Sequence, residues 1–343
     1  MLVQSMTKSP RVSVIICSID EERSRFLRQA VVSVSNQTLN PESYEVVVVR
    51  SYLSEIKSDD VACKVDCDMI IDKSELGKWI RMASEITRGD VLVFMDDDDM
   101  FHYDKLRRVL EIFDKDDSRI YYHNSQLIFK TGELNELESQ KQESVIKLLK
   151  DEEKIRDLWN LWKSGASFNL SSISIRRSLL NGIEKYLEEI NTGVPQLLFF
   201  NAICSNGIIV VDGAQLTFYR IHNRNLSTNI FDSTLSCMRK MARLSTTMLK
   251  DISVLNEFLR DCKYNFDTKP LLVIESKYRL YNLIITGELN KKEMVGFYLS
   301  QLRSKTFTLF DPKLFLLLIY LFFPHLLRRI LSRSGSGIDL DGQ

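Results

Sequence analysis

Four consecutive aspartates, Asp96, Asp97, Asp98 and Asp99, directly follow the apolar residues 91–95. A short run of β-branched and aromatic residues bounded by Gly89 and by charge predicts a buried β-strand. Burying one carboxylate is costly, and adjacent carboxylates also repel each other. A divalent cation would relieve both costs, because carboxylate oxygens suit hard ions such as Mg²⁺ and Mn²⁺, which in turn bind phosphates. The run therefore predicts a metal and phosphate site. The alternative is a solvated acidic turn ahead of a helix near Tyr103.

The elements that would position this run are buried strands that alternate with amphipathic helices. Strands are predicted at residues 11–18, 44–49, 68–71 and 91–95, and helices at 21–35 and 76–87. Strands that are apolar throughout indicate a parallel sheet with helices on both faces. Ligands of such sheets bind beyond the carboxyl ends of the strands, which is where the aspartates lie.

The second half of the chain continues the α/β pattern and then becomes helical. It predicts helices at 103–113, 183–190 and 196–206, one or two surface helices within 133–164, and strands at 120–129, 171–175, 207–211 and 215–220. Beyond about residue 230 the chain is predicted to be mostly helical. The predicted fold class is α/β, with a Rossmann-like, mostly parallel sheet and a C-terminal helical extension. The predicted domains are residues 1–230 and 231–343.

Composition limits the classes of function. The chain has 343 residues, of which 44% are hydrophobic and 27% charged, as in ordinary globular proteins. The formal net charge is zero, which argues against nucleic acid as the main partner. Cys63 and Cys67 are four residues apart, but no second pair and no nearby histidine completes a zinc site. We interpret the thiols as reduced and expect a cytoplasmic protein without a secretory signal.

A segment near the C-terminus suggests contact with a membrane. Residues 314–323 are ten consecutive apolar residues, about half of a bilayer span, and Pro324 interrupts them. Arg328, Arg329 and Arg333 follow. An apolar segment with a basic cluster predicts that residues 313–331 lie in the membrane interface, at the cytoplasmic face. The alternative is a buried C-terminal helix.

Several motifs along the chain occur in a recognisable order. They are a first strand that stops at Cys17 and Ser18, AVVSVSNQT at 30–38, GDVLVFMDDDD at 89–99, DKL at 104–106, and LTFYRIHNRNLS at 216–227. Over about residues 10–230 they resemble the family-2 glycosyltransferases, whose fold is of the nucleotide-sugar-binding GT-A type. The resemblance implies a nucleotide-sugar donor as the first substrate.

The resemblance also implies roles for the aspartates. Asp96 and Asp98 would bind Mn²⁺ or Mg²⁺ on the donor diphosphate, with Asp99 and His222 as further candidate ligands. The metal would neutralise charge that develops on the leaving diphosphate. Asp97 is expected to point away from the metal, because neighbouring side chains on an extended segment alternate. It is therefore grouped with the donor-binding residues.

The candidate donor-binding residues are Cys17, Ser18, Asp20, Arg50, Ser51, Asp97 and Arg220. Arg220 could bind a phosphate as a bidentate donor, and a structural ion pair is the alternative. In family-2 enzymes the second strand ends in an acidic pair that contacts base and ribose, whereas here it ends in Arg50 and Ser51. Asp20 or Asp72 could supply the missing acid.

The general base is the weakest part of the resemblance. An inverting transferase needs a group that takes the proton of the acceptor hydroxyl. Relatives carry an acid where this chain has Gln196. Glu188 and Glu189 are the remaining candidates, and for both the alternative is a solvated helical face.

The predicted function is inverting, metal-dependent and non-processive transfer of a sugar to a hydroxyl of a glycan or lipid-linked acceptor. The alternative is a catalytically impaired module that binds a nucleotide or a partner protein. Two other classes fit less well. A phosphatase with a D-x-D-x-[TV] motif would need Thr or Val where Met100 stands. A nucleotidyltransferase would need a glycine-rich phosphate loop after the first strand.

Overall fold

The computed structural model describes residues 9–53, 64–71, 75–130, 146–222, 225, 234–262, 270–271, 274–275 and 278–279. The chain divides into two compact units. The first is formed from residues 1–223 and 253–267, and the second from residues 224–252 and 268–343. Every candidate metal, donor and catalytic residue lies in the first unit.

Strands and helices alternate through the first hundred residues, as predicted. The strands are β1 (Val12–Ser18), β2 (Tyr44–Arg50), β3 (Cys67–Ile70) and β4 (Val91–Asp96), and the helices are α1 (Ser24–Ser35) and α2 (Leu76–Ile86). Every residue of β1 and β2 is buried. Continuous burial of this kind requires cover on both faces of the sheet, which is why these strands have no polar side.

The remaining elements complete the sheet and its covering helices. They are β5 (Met100–Phe101), α3 (Lys105–Asp114), β6 (Arg119–Lys130), β7 (Ile146–Leu149), α4 (Asp151–Arg156), α5 (Leu158–Lys163), β8 (Ile173–Arg176), α6 (Glu184–Leu187), α7 (Val194–Cys204), β9 (Ile208–Ile221) and α8 (Thr234–Asp261).

The nine strands form one sheet in the order β3-β2-β1-β4-β8-β6-β9-β5, and β7 also pairs with β9. The strands β1 to β4 are parallel, β8 is antiparallel to β4, and β6 and β9 return to the direction of β4. Six of the nine described strands thus run in one direction. The predicted fold class, an α/β architecture with a mostly parallel sheet, is confirmed.

Both faces of the sheet are covered. On one face Val91, Val93 and Met95 of β4 belong to a buried cluster with residues of α1 and α3. Leu92 and Phe94 alternate with these residues and are equally buried. Because β4 is buried on both sides, its polar residues are confined to its carboxyl end.

The sequence-based assignment differs from the structure in two places. Residues 207–211 and 215–220 are predicted as two strands but belong to the single strand β9, because β6 pairs with it along its length through register shifts near Ser125. Residues 146–149 are predicted to be helical but form β7, because pairing with β9 outweighs local helical propensity.

The predicted membrane segment, residues 313–331, lies outside the described residues. Within the residues that are described, no helix combines the length and apolar character needed to span a bilayer. The described helix α8 falls inside the region that was predicted to be helical.

Gly77 allows α2 to approach the chain that follows α6. Its N–H donates to the Ile190 carbonyl at 3.1 Å. A Cβ at this position would overlap the Leu187 carbonyl oxygen and lie 2.8 Å from Ile190 Cγ2. The contact fixes α2 against the segment that precedes α7.

Gly77→Ala should lower the free energy of unfolding by about 1–3 kcal/mol, because the added methyl group overpacks this contact. Urea denaturation followed by circular dichroism measures the change. Lys78→Ala, at the exposed neighbouring position of the same helix, is the control and should change stability little. A Gly77→Ala variant as stable as this control would contradict the close packing.

Candidate active site

The aspartate run forms a tight turn at the carboxyl end of β4. Asp96 is the last residue of the strand, and the Asp99 N–H donates to the Asp96 carbonyl at 3.2 Å. Asp97, Asp98 and Asp99 are buried. The segment is therefore not a solvated acidic turn. It is also not extended, so the alternation expected for Asp97 and Asp98 does not hold.

Arg23 binds two of the four aspartates. Its Nη1 lies 2.9 Å from Asp98 Oδ2, and its Nη2 pairs with Asp97 Oδ1. Arg23 belongs to the short turn Glu21–Arg23, which follows β1 at the same edge of the sheet. The sequence analysis missed this residue, although a basic side chain just beyond a parallel strand was a usable signal.

Negative charge in this turn exceeds what one guanidinium neutralises. Burial raises the pKa of Asp96 to about 7, and the charge of Asp98 adds to the shift. Burial also raises the pKa of Asp97 to about 7, against the opposing effect of Arg23. Burial alone would raise the pKa of Asp98, but the hydrogen bond from His222 and the charge of Arg23 outweigh it and lower that pKa.

His222 lies at the aspartate run, as the resemblance implied. Its Nε2 is 3.0 Å from Asp98 Oδ2, and its ring lies 4.8 Å from that of Phe26. The two residues are far apart in sequence, and the course of β9 brings them together. His222 therefore contacts a predicted metal ligand directly.

Hydrogen bonds between Arg220 and the residues Asp98 and Asp99 stabilise the turn. The Arg220 N–H donates to Asp99 Oδ1 at 3.1 Å, and Arg220 Nε donates to the Asp98 carbonyl at 2.7 Å. The guanidinium of Arg220 lies between the rings of Phe26 and Phe129, at 4.7 and 4.8 Å. Arg220 thus supports the turn through hydrogen bonds and ring contacts, and its binding of a phosphate stays a prediction.

Lys105 positions the strand end through Ser171. Its Nζ donates to the Ser171 carbonyl and, at 2.9 Å, to Thr217 Oγ1. The Asp96 N–H in turn donates to Ser171 Oγ at 2.9 Å. Burial lowers the pKa of Lys105 well below its usual range. The sequence analysis quoted Lys105 within a motif but did not assign it a role.

Ser18 and Tyr52 extend the hydrogen-bonded cluster at the end of β1. Ser18 Oγ lies 2.5 Å from Asp97 Oδ2 and 2.6 Å from the Tyr52 hydroxyl. Cys17 is buried, and burial together with Asp96 and Asp97 raises the pKa of its thiol. The thiol is therefore neutral, as expected of a small apolar residue.

Arg50 is held by an acid that the sequence analysis did not consider. Its Nε and Nη2 form a two-point ion pair with Asp68 on β3, at 2.9 and 2.5 Å. The end of β2 is thus beside a carboxylate that the adjacent strand supplies. A neighbouring strand in the sheet cannot be identified from sequence spacing alone.

The other predicted donor-binding residues have local roles in the structure. Asp20 accepts a hydrogen bond from the Glu22 N–H at 3.0 Å and so caps the turn after β1. The Ser51 hydroxyl donates to the Ile19 carbonyl at 3.1 Å. Asp72 lies outside the described residues.

No described contact joins Glu188 or Glu189 to the aspartate run. Glu188 forms an ion pair with Arg81 on α2 at 3.0 Å and is half exposed, and Glu189 is exposed. Gln196, in the first turn of α7, donates its amide to the Ser167 carbonyl at 3.2 Å. The structure therefore leaves the general base as a prediction.

The chemistry of the donor set fits a hard divalent cation. Asp96, Asp98 and His222 offer two carboxylates and an imidazole, which are ligands that Mn²⁺ accepts. Burial raises the pKa of Asp96 and the charge of Asp98 adds to the shift, and a bound cation would oppose both effects. No group of three or more His, Cys, Asp or Glu side chains within the described ranges is already arranged to hold a metal ion.

Part of the chain matches a known protein family. Residues 13–180 match the family model described as glycosyl transferase family 2. The matched range includes β1 to β4 and the whole aspartate run. His222 and Arg220 lie beyond it. No curated protein sequence matches the chain significantly.

Two solved structures share the fold. One is the mannosyltransferase PcManGT from Pyrobaculum calidifontis in complex with GDP-Man and Mn²⁺: it is 13% identical, the alignment covers 95% of this chain and 84% of that one, and the TM-score is 0.53. The other is residues 1–349 of TarS from S. aureus in complex with UDP-GlcNAc, with 13% identity, 84% and 78% coverage, and a TM-score of 0.51. At these identities the likeness concerns the fold, which is of the GT-A type.

Arg23→Ala should destabilise the protein by about 3 kcal/mol or more, because it leaves buried carboxylates without their counter-charge. The difference in unfolding free energy between wild type and this variant should be larger at pH 8 than at pH 6. Without the guanidinium the pKa of Asp97 and of Asp98 rises in the folded protein, so the folded state binds more protons than the unfolded state and stability falls as pH rises. Urea denaturation at both pH values measures this.

Arg25→Ala is the matched control, because Arg25 lies two positions further along the chain and is exposed. It should cost little stability at either pH. Equal losses for the two variants would show that the Arg23 ion pairs do not hold the turn.

Proposed function

Because residues 13–180 belong to glycosyl transferase family 2, we propose that this chain transfers a sugar from a nucleotide-sugar donor to a hydroxyl acceptor, with inversion and with one transfer per encounter. The observation that carries the proposal is the buried aspartate turn at the carboxyl end of β4, where Arg23 and His222 converge on Asp98. Charge of this density at the edge of an α/β sheet suits a diphosphate and its cation.

Asp96 and Asp98 are the proposed ligands of Mn²⁺ or Mg²⁺, with His222 as a third. The metal would supply Lewis-acid stabilisation of the departing nucleoside diphosphate. Arg23 would keep Asp97 and Asp98 on one side of the turn by pairing with both. Asp99 and Arg220, which brace the turn, are proposed to act through its shape.

The donor-binding group is proposed to comprise the residues around the ends of β1 and β2. These are Cys17, Ser18, Asp20, Arg50, Ser51 and Asp97, to which the structure adds Tyr52 and Asp68 as neighbours. The solved complexes with GDP-Man and with UDP-GlcNAc support a nucleotide sugar as the donor class. Both complexes belong to those proteins, and donor identity here is a matter for measurement.

In the proposed reaction the acceptor hydroxyl oxygen forms a bond to the anomeric carbon of the donor. The bond from that carbon to the diphosphate oxygen breaks, and its electron pair leaves with the nucleoside diphosphate. The hydroxyl proton passes to a general base, for which Glu188 and Glu189 are the proposed groups. Glu188 would have to leave its ion pair with Arg81 to reach the acceptor.

A module that binds a nucleotide sugar without turnover is the second candidate. It is favoured by the position of Gln196 in α7 and by the exposed positions of Glu188 and Glu189. Calorimetric titration of a panel of nucleotide sugars, with and without Mn²⁺, separates the candidates when it is combined with a product assay. Tight binding without release of nucleoside diphosphate would favour the module.

Asp96→Asn and Asp98→Asn should each lower kcat/KM for donor turnover by about 100-fold or more, because each removes a charge that holds the metal and diphosphate. EDTA should abolish the activity of the wild type, and added Mn²⁺ or Mg²⁺ should restore it. Release of nucleoside diphosphate from the panel of donors measures both effects.

Asp117→Asn is the control, because Asp117 is an exposed carboxylate away from the turn. Its activity should equal that of the wild type. A double Asp96→Asn, Asp98→Asn variant that kept full, EDTA-sensitive turnover would refute the assignment of this site.

We also propose a cytoplasmic location with peripheral contact of residues 313–331 to the membrane and an acceptor that is a glycan or lipid-linked. The support is the sequence of that segment, ten apolar residues followed by arginines. Deletion of residues 313–343 should move the protein from the membrane fraction to the soluble fraction. An unchanged distribution would exclude this mode of contact.

A further inference from the structure

A pocket of about 230 Å³ opens beside the candidate active site, between β6, β9 and the loop that precedes β8. Its lining includes His123, Ser125, Gln126, Gly165, Phe168 and Gln215. None of these residues was singled out by the sequence analysis, and none belongs to the aspartate turn or its ion pairs.

A short chain of hydrogen bonds connects this pocket to the aspartate turn. Asn169 Nδ2 donates to Gln126 Oε1 at 2.7 Å, and Asn169 Oδ1 accepts from the Ser171 N–H at 3.0 Å. Ser171 Oγ in turn accepts from the Asp96 N–H at 2.9 Å. Two residues, Asn169 and Ser171, thus connect the pocket to the proposed metal ligand Asp96 through hydrogen bonds.

The wall of the pocket is held in place. The Tyr121 hydroxyl donates to the Ala166 carbonyl at 2.6 Å, and His123 Nε2 lies 3.1 Å from the Phe168 carbonyl. Asn169 adopts a φ of 60°, which an L residue holds only when its surroundings enforce it. The loop therefore presents Phe168 in a fixed position instead of folding it into the core.

The described lining carries no formal charge at neutral pH. It contains amides, hydroxyls, a glycine and one aromatic ring, and no Lys, Arg, Asp or Glu. Burial lowers the pKa of His123 to about 4, so that its imidazole is neutral. Amides and hydroxyls can both donate to and accept from hydroxyl groups. Among the described lining residues, no Lys or Arg is present to bind a phosphate or carboxylate.

Size and the aromatic ring further restrict the ligand. A volume of 230 Å³ is below the roughly 300–1,000 Å³ of pockets for drug-sized ligands, which indicates a single ring. Phe168 is 42% exposed, and its ring meets Tyr219 edge to face at 6.0 Å. An exposed aromatic ring among polar groups suits a ligand with an apolar face and a hydroxylated rim.

We propose that this pocket is the acceptor subsite and that it selects an uncharged, hydroxyl-rich sugar ring, packed on Phe168 and hydrogen-bonded by Gln126 and Gln215. The acceptor role rests on the proposed transferase function, whereas sugar binding by the pocket can be measured without it. It narrows the acceptor to a neutral sugar residue and excludes a phosphorylated one at the point of attachment.

Saturation-transfer NMR with the full chain in EDTA, which keeps the phosphate probe from binding through a metal, and three neutral probes tests the pocket: methyl β-glucopyranoside, methyl β-galactopyranoside and methyl α-mannopyranoside. Glucose 6-phosphate is the charged probe. At least one neutral glycoside should bind, and glucose 6-phosphate should bind at least tenfold more weakly. Phe168→Ala should weaken glycoside binding at least tenfold, whereas Phe168→Tyr, which keeps the ring, should retain it.

Two further variants make the test specific. Tyr103→Ala removes an exposed aromatic residue outside the pocket and should leave binding unchanged. Gln215→Lys places a cation in the pocket and should shift the preference toward glucose 6-phosphate. Thermal unfolding of each variant confirms that it is folded.

The outcomes separate this inference from the proposed function. Absence of nucleoside diphosphate release with every donor would count against the transferase, while the glycoside binding would still test the pocket. Equal binding of charged and neutral probes, binding that is indifferent to Phe168→Ala, or no binding of any neutral glycoside would overturn the inference.

Discussion

Uncompensated negative charge at the carboxyl end of β4 is the constraint on which the rest of this site depends. Three of the four aspartates are buried, and one guanidinium, that of Arg23, pairs with two of them. Such a turn would be too costly if its backbone groups were also unsatisfied. Arg220 and Ser171 form hydrogen bonds with the backbone of the turn, and Arg220 also binds the Asp99 side chain. These hydrogen bonds stabilise the turn despite its negative charge.

The strand β9 is the element that brings these supports together. It pairs with β6 over most of its length and with β5 next to the aspartates. Arg220 and, directly after the strand, His222 therefore contact the turn from more than a hundred residues away along the chain. The same strand contributes Gln215 to the neighbouring pocket. The same strand therefore carries residues of both the proposed donor site and the proposed acceptor pocket, and a transferase needs its two substrates held close together.

Much of the fold was predictable from local patterns. Strands β1, β2 and β4 are apolar throughout, and a segment of that kind has few alternatives to a buried position in a parallel sheet. The proposed metal ligands were inferred from carboxylate chemistry together with a family resemblance. Asp68 and Lys105 escaped prediction, because a lone charged residue in a helix or strand looks the same in sequence whether it faces solvent or a buried partner. Arg23 was also missed, although its place just beyond a parallel strand was a usable signal.

The sequence by itself determined that acidic residues end a buried strand, and it predicted from this that the edge of the sheet binds a cation and phosphate. Only the tertiary structure decided which basic residues pair with these aspartates. Strand pairing brings together residues whose proximity cannot be inferred from their spacing along the chain. The turn at Asp97 and Asp98 shows the difference. Alternation along an extended segment predicted opposite directions for these side chains, whereas the bond from Asp99 to Asp96 closes the chain and presents both to Arg23.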